Sequence, residues 1–588
     1  MIVLLEYSQL KARLKMAEAA AVSDERHDSW EKFHRWISCV CVVTFDLELG
    51  QALELVIPKD YPLSEKEKSN ICYLAFPDSN SGCLGDTQFH FRIKCSGPGC
   101  GGTSSMYMAE HSAAPLVLMP DQTHYFGYVY FRQVKDADIK RGYFQKSVVI
   151  ISRLPYVTFF SHVVQKIASD YFTNGEPSLE AVCHSINQWP YPWPGHVIHL
   201  PLMGELVYIR IPSKADKPSA AKILTNSPAV KSASTTIVIP SVYEPSLYQA
   251  LHLPVVSNFE TIWELVLLNE PLAVMAASPT LCANAVQALV SLIHPLKYCG
   301  DYRPYFTIHD SEFKAYTTKT QPPPLMILGV TNPFFTKTLE HWPHIVRIGE
   351  PTTKGHESTT KVYRRSTSSG GKFDTMDMKP GIYTRYHPCL SHDKVFAKLL
   401  TSKTILGKRP LEVQNALIRK QALELTTSFI IPLERYLSTL MPLKRDVSPW
   451  KMPPQLKPFD PEDFLESVAA CGPQLTSQHK GNWTALYRAF FKTPNFVGWL
   501  NTRREEANQK LRLLHLDMLC KADVMFWTRG KQEIEVVDFL IRMKECMEMA
   551  KNQHMSISPL LLQALHAQAK SILAKLPDDL QLVLANYF

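Results

Sequence analysis

"YFGYVYFRQVKDADIKRGYFQKSVVIISRLPYVTFF", Tyr125 to Phe160, decides how the first part of this chain folds. Aromatic and β-branched residues run to about Lys135. Asp136 to Gly142 carries turn chemistry, and "YFQKSVVIIS" resumes the β-rich pattern. Two such runs around a short polar turn predict an antiparallel hairpin. "PYVTFFSHVVQKIASDYF" then changes to helical spacing. The stretch also sets Arg141 and Gly142 directly before an apolar strand. Arg141 reads as a solvated loop charge, a clamp for a partner, or a residue that works on a phosphate.

Working outward, "ISCVCVVTFDLELGQALELVIP" gives a second hairpin joined near Leu49-Gly50-Gln51. Residues 24–36 have helical spacing through Trp30 and Phe33. "FPDS", Phe76 to Ser79, is expected to end a strand, with Asp78 exposed if Phe76 is buried. A Gly-, Ser- and Cys-rich loop follows, from about Ser79 to Ser105. The first part, to about residue 210, is therefore an antiparallel sheet with helices after it.

"IPSKADKPSAAKILTNSPAVKSAS" is poor in large apolar residues and rich in Lys, Pro, Ser and Ala, as an exposed linker would be. Beyond it, "TIWELVLLNEPLAVMAAS" predicts a helix then a strand, and "LCANAVQALVSLI" a helix. "YFTIH", "PPLMILGV" and "HIVRIGE" predict further strands. Helices alternating with short buried strands imply a mainly parallel sheet. "EPTTKGHESTTKVYRRSTSSGG" interrupts the pattern as a loop, and its paired arginines before hydroxyls make it a candidate kinase target. From Ser391 the chain is helical. Ile418, Ala422, Leu425, Phe429, Leu433, Tyr436 and Leu440 keep one face, and Pro432 is expected to kink or split that helix.

A length of 588 residues implies three to four domains or subdomains, and the 45% apolar share supplies their cores. The net charge of +8 (63 basic less 55 acidic) is too mild for this size to argue for nucleic acid. The 13 cysteines include Cys39 and Cys41 on one strand face and Cys95 and Cys100 around a Gly-Pro loop; no Cys/His pair completes a zinc spacing. They read as buried thiols of a reducing compartment. The uncharged run from Leu272 to Ile293 holds Pro279, Asn284 and Gln287, so a buried strand feeding a buried helix explains it better than a membrane span. No secretory leader, transmembrane helix or lipidation signal is expected.

The usual sites of chemistry are absent. No G-x-x-x-x-G-K-[ST] occurs, no G-x-G-x-x-G opens a helix, and no G-x-S-x-G or H-E-x-x-H is present. His341 and His344 flank Trp342-Pro343 as loop histidines, and the Asn482 sequon is expected by chance. No metal and no cofactor is expected. A nucleotide, if one is involved, would belong to a partner.

"FDLELGQALELVIPKD", "LAFPDS" and the Tyr125 to Phe160 stretch together resemble the upstream segment of tripartite DENN-domain proteins. "PLAVMAASPTLCANAVQALVSLIHPLKYCGDYRPYFTIH" and "PPPLMILGV" resemble the central segment, and Ser391 to about Trp499 the downstream one. The short layout is similar to the sixth class of that family. The resemblance implies an α/β fold: a longin-like antiparallel N-terminal lobe, an α/β central lobe with a mainly parallel sheet, and a helical C-terminal part. It implies an N-terminal helical extension to 32, an upstream DENN segment over 33–211, a linker over 212–238, a central segment over 239–365, a downstream segment over 366–500 and a helical extension over 501–588. It further implies exchange of guanine nucleotide on a Rab-type small GTPase, without catalytic chemistry of the chain's own, in a cytoplasmic protein recruited peripherally to recycling endosomes. Phe76, Asp78, Gln133, Lys135 and Arg141 are nominated as partner-binding, each with a plain turn or loop as its alternative. Some longin–DENN relatives present an arginine from this loop as an arginine finger, so GTPase activation through Arg141 is one alternative and a non-catalytic Rab-binding adaptor another.

The linker reading has a direct test. Limited proteolysis of the native chain is expected to cut within 212–238 and to spare "FGYVYF"; the reverse preference would defeat the assignment.

Overall fold

The computed structural model describes residues 30–46, 50–78, 85–96, 110–137, 142–216, 236–239, 241–243, 246–349, 363–364, 379–401, 409–471, 479–552, 559–578 and 580–581. They form two compact units. One holds the described residues up to Pro77, 85–96 and 118–243; the other holds Asp78, 110–117 and everything from 246 onward.

The first unit is built on the expected hairpin. Strands β4 (His124–Lys135) and β5 (Tyr143–Ser152) pair antiparallel, with Lys135 opposite Tyr143. The Asp136 amide donates to the Gly142 carbonyl at 3.0 Å, and Gly142 takes φ +74°, a conformation glycine adopts without strain. The second hairpin, β1 (Cys39–Asp46) with β2 (Gly50–Ile57), joins β5 on its other side, and β3 (Gly85–Lys94) closes the edge. The order is β2-β1-β5-β4-β3. β5 is central, so Val148 to Ile151 are buried on both faces, as an unbroken apolar run requires.

Side-chain alternation places a helix on each face. Phe160 of α3 (Val157–Asn174) stacks on Tyr128 at 4.9 Å, and Phe172 lies 6.2 Å from Tyr130. The opposite face takes the end of α2 (Glu65–Leu74): Ser147 donates to the Ala75 carbonyl at 2.6 Å, and Phe76 meets Phe131 edge-on at 5.2 Å. Phe76 follows a helix and not a strand, because Ser64 and Glu67 close a capping box that starts α2 at Glu65. The linker is also shorter than its composition suggests. Arg210 and Asp216 are ion-paired, and β8 (Thr236–Val238) pairs in parallel with β7 (Glu205–Arg210), which pairs with β6 (Val197–Leu202). The β-branched run Thr236-Ile237-Val238 suits a strand better than a linker; 217–235 lie outside the described residues. The expected helix over 24–36 is a single short turn, Glu31–His34 (α1), among the residues described there.

The second unit carries a six-stranded sheet in the order β10-β11-β9-β12-β14-β13. Its members are β9 (Leu272–Met275), β10 (Asp301–Phe306), β11 (Met326–Val330), β12 (His344–Arg347), β13 (Tyr363–Arg364) and β14 (Gly381–Thr384). The first four are mutually parallel, and β14 runs antiparallel to β12. Before it come two helices numbered α4 (Glu176–Ile186) in the first unit and α5 (Leu247–Val256) here. The uncharged run is β9 followed by helix α7 (Pro279–Ser291), and no helix among the described residues is long and apolar enough to cross a membrane.

Helix α6 (Phe259–Leu267) ties this sheet to the helices that follow. Glu260 and Glu264, one turn apart, are both buried. Glu264 accepts from the Tyr386 hydroxyl at 2.6 Å and from the Cys389 and Leu390 amides at 2.8 Å; Glu260 accepts from the Asp393 amide at 3.0 Å and faces His392 at 3.1 Å. The end of α6 is closed by Asn495, whose side-chain amide donates to the Val266 and Leu267 carbonyls while its backbone amide donates to Asn269. Those carbonyls have no partner inside their own helix.

Counting on, the small helices α8 (Phe313–Thr317) and α9 (Phe335–Thr338) follow β10 and β11, and α10 (Lys394–Thr401) and α11 (Leu411–Thr439) follow β14. Pro432 does not split α11. It is buried in the helix's packed face, and Phe429 stacks on Tyr487 at 4.5 Å while the Tyr487 hydroxyl donates to the Phe429 carbonyl at 2.8 Å. Packing outweighs the one backbone bond that proline removes. The remaining helices are α12 (Pro461–Cys471), α13 (Trp483–Phe490), α14 (Pro494–Lys521), α15 (Val524–Trp527), α16 (Glu533–Asn552) and α17 (Pro559–Leu573), the last four around one apolar core.

His90 on β3 gives this fold an acid-sensitive point. It is 1% exposed, its Nε2 has no hydrogen-bond partner, and burial lowers its pKa to about 3. Between the ordinary histidine value of about 6.5 and about 3 the unfolded chain binds a proton that the folded chain refuses. Stability therefore falls with falling pH across that window, by up to about 1.4 kcal/mol per pH unit. Urea titrations at pH 7 and pH 5 are expected to show a smaller acid loss in His90→Leu than in the parent; equal losses would show that His90 does not control this limb.

Candidate functional site

The carboxyl ends of the parallel strands are where an α/β sheet of this kind normally receives a ligand, often a phosphate. Here that edge is built from β10, β11 and the start of α7. Ser278 caps α7 by accepting from the Leu281 amide at 3.3 Å, with Pro279 in the first turn. Glycines that would let a backbone wrap a phosphate are missing from this turn, as the sequence indicates.

What occupies the edge is Asp78. Its amide donates to the Tyr305 hydroxyl at 2.8 Å, and Thr331, just beyond β11, donates to its carboxylate at 2.8 Å. Burial raises the Asp78 pKa, against the opposing pull of hydrogen bonds from Thr331 and Asn332 and the nearby His309. Its charge also reaches Cys282, in the first turn of α7, whose thiol is raised mainly by burial and further by Asp78. A carboxyl group of the chain itself thus stands beside the ends of β10 and β11. Asp78 is half-buried and engaged, not the exposed loop tip that the sequence suggested. The reason is local: α2 ends at Leu74, Phe76 is buried at 5% exposure, and the chain passes into the second unit at Asp78.

The other nominated residues are dispersed. Gln133 accepts from Gln145 across the hairpin at 2.8 Å and is half-buried. Lys135 is exposed at the end of β4. Arg141, with the rest of the hairpin tip at 138–141, lies outside the described residues; of the kinase-type stretch Arg364 to Gly371, Arg364 ends β13 where the sequence predicts a loop, and 365–371 lie outside them. So Gln133 and Lys135 share the root of one hairpin, Phe76 packs on the sheet above it, and Asp78 serves the second unit. Sequence reasoning missed Tyr305, Thr331 and Asn332. Asn332 was legible in principle, since Thr-Asn-Pro after a strand is turn chemistry.

Other candidates prove structural. His344 is buried, with Nδ1 2.6 Å from the Thr384 hydroxyl and Nε2 3.4 Å from Glu270. Asn482 caps α13, accepting from the Ala485 amide at 3.0 Å. Cys39 and Cys41 are buried with sulfurs 3.8 Å apart, as free thiols. Arg92, Asp121 and His124 form a network in which Arg92 donates to Asp121 at 2.8 Å; against the cost of burial, His124 and Arg92 hold the Asp121 carboxyl well below the usual range. Among the described residues no group of three or more His, Cys, Asp or Glu could hold a metal ion.

Comparison with known proteins fits this anatomy. A family model described as "DENN (AEX-3) domain" matches residues 143–344, one described as "Transport protein Avl9" matches 37–187, and one described as "DENND6 C-terminal domain" matches 524–587. The chain is 50% identical over 564 residues to Protein DENND6B of Mus musculus, covering 94% of each chain. It is 49% identical over 555 residues to Protein DENND6A of Gallus gallus, again covering 94% of each. Against the DENND6 homolog of Dictyostelium discoideum it is 33% identical over 590 residues, covering 89% of this chain and 78% of that one. With an antiparallel first sheet, a mostly parallel second sheet and a helical C-terminal region carrying all three family matches, the chain belongs to the DENND6 family of DENN-domain proteins.

Proposed function

We propose that this chain is a guanine-nucleotide exchange factor that promotes GDP release from a Rab-type small GTPase in endosomal, recycling membrane traffic. The observation that carries the reading is Asp78. In a DENN-domain chain, the sheet edge suited to a phosphate carries the chain's own carboxylate, which supports reading the nucleotide as the partner's.

Exchange needs no proton-transfer group. The factor must bind the nucleotide-free GTPase better than the loaded one, and GDP must weaken that complex by the same factor. An acceleration of about five decades requires about 7 kcal/mol of barrier lowering. Contacts spread over a broad surface supply that without a compact motif. The hairpin bearing Lys135 and Arg141, rooted at Gln133, is the partner-facing element of this reading; Phe76 and Asp78 act by fixing backbone. The chain works as a cytoplasmic protein recruited peripherally to endosomes.

One residue separates exchange from its alternatives. With labelled GDP on a panel of purified Rab proteins, the chain is expected to speed release from at least one. Arg141→Ala should slow that release modestly, by at most about 1–3 kcal/mol for a lost charge-assisted contact, and leave GTP hydrolysis untouched. Strong stimulation of hydrolysis that disappears in Arg141→Ala would instead establish an arginine finger. Binding without faster release from any Rab would make the chain an adaptor.

A further inference from the structure

The two loops that leave β10 and β11 sit side by side, because those strands are adjacent and parallel. They carry an apolar tip that the fold does not use. Phe334 is 52% exposed and Ile308 is 37% exposed, and the half-buried ring of Phe313 lies stacked 6.3 Å from that of Phe334.

The exposure is held in place and does not come from slack chain. In the first loop, Arg303, buried on β10, is paired with Asp301 and Glu312. Asp310 accepts from the Glu312 amide at 2.8 Å, and Tyr316 donates to Glu312 at 3.0 Å. In the second, buried Asn332 accepts from the Phe334 amide at 2.9 Å, while Thr331 is fixed to Asp78. Fixed loops lose little entropy on docking. A preorganised, solvent-facing aromatic pair is a binding feature more than a folding one.

Charge and size indicate what docks. The exposed charges of these loops are Lys314, Lys319, Lys337 and Glu340, and the Lys319–Glu340 pair leaves Lys314 and Lys337 as the excess. Of the acids, Asp310 is buried, Glu312 is held by Arg303, and Glu340, exposed, is offset by the exposed Lys319 at 3.5 Å. A stable protein interface covers about 800 Å² per partner around a packed core. Three apolar side chains on a loop tip, two of them largely within reach of each other, are too few for that core. They suffice for shallow insertion between lipid headgroups, assisted by cations.

We infer that the loops after β10 and β11 form a docking surface for anionic membrane lipid, with Phe334, Phe313 and Ile308 entering the headgroup layer and Lys314 and Lys337 meeting its negative charge. Such a tip binds weakly alone and serves as one of two anchors, as single insertions generally do. The inference does not depend on the exchange reading, because lipid binding is measured without a GTPase.

The test is flotation of the full chain with phosphatidylcholine vesicles, with and without phosphatidylserine. The chain should float with the anionic vesicles, less so at raised salt, and little with neutral ones. Lys314→Glu with Lys337→Glu should weaken binding at least about 25-fold, from roughly fivefold per cation removed. Phe334→Ser should weaken it about tenfold, and Phe334→Leu should retain most of it. All variants should keep the parent's melting temperature, since the altered side chains are exposed. Absence of any preference for anionic vesicles, or variants that bind like the parent, would overturn the inference. So would variants that bind vesicles normally but lose GDP-release activity in solution, because the surface would then belong to a protein partner.

Discussion

Two carboxylates one turn apart on α6 hold the second unit together. A buried carboxylate costs several kcal/mol unless donors replace its lost water. Glu264 receives three, from Tyr386, Cys389 and Leu390, and Glu260 is met by His392 and Asp393. All five donors lie in the segment that leads from β14 to α10. A helix of the α/β layer therefore dictates the path of the chain into the helical region, and Asn495 secures the same helix from α14. Burial raises the Glu264 pKa although three hydrogen bonds oppose it, which marks how dry the clamp is. Removing one donor would leave charge without solvent, and this makes the clamp a constraint more than an attraction.

The sheet edge shows the same economy. Asp78 arrives from the end of α2 and is bonded by Tyr305 and Thr331 at the ends of β10 and β11. The carboxylate fixes the turn after β11, and that turn fixes Phe334 in the solvent. Asp78 is thus tied to the ends of β10 and β11 by its own hydrogen bonds.

Much was legible because it is written in local pattern. Turn residues between two β-rich runs made the Tyr125 to Ser152 hairpin unavoidable, and Ser278-Pro279 with an apolar helix after β9 fixed the strand-helix unit. The missing glycines argued against a phosphate cradle at the turn after β9. Individual site residues were less legible. Asp78 looked like a free loop tip because its partners, Tyr305 and Thr331, lie more than two hundred positions away. Pro432 looked like a break because the packing of Phe429 against Tyr487 is invisible to a helix propensity.

By itself, then, the sequence determined the order of elements, the antiparallel and mainly parallel sheets, and the family that these features resemble. All of these rest on spacing within a few residues or on short motifs read in order. Only the tertiary structure decided that α2 ends where a strand was expected, that Thr236 to Val238 belong to a sheet, that two buried glutamates organise the crossing into the helices, and that Phe334 stands in solvent beside Lys337. Those features depend on which distant groups supply a buried polar atom with its partner, and on which apolar side chains remain once the core is full. Neither quantity is carried by any local stretch of chain.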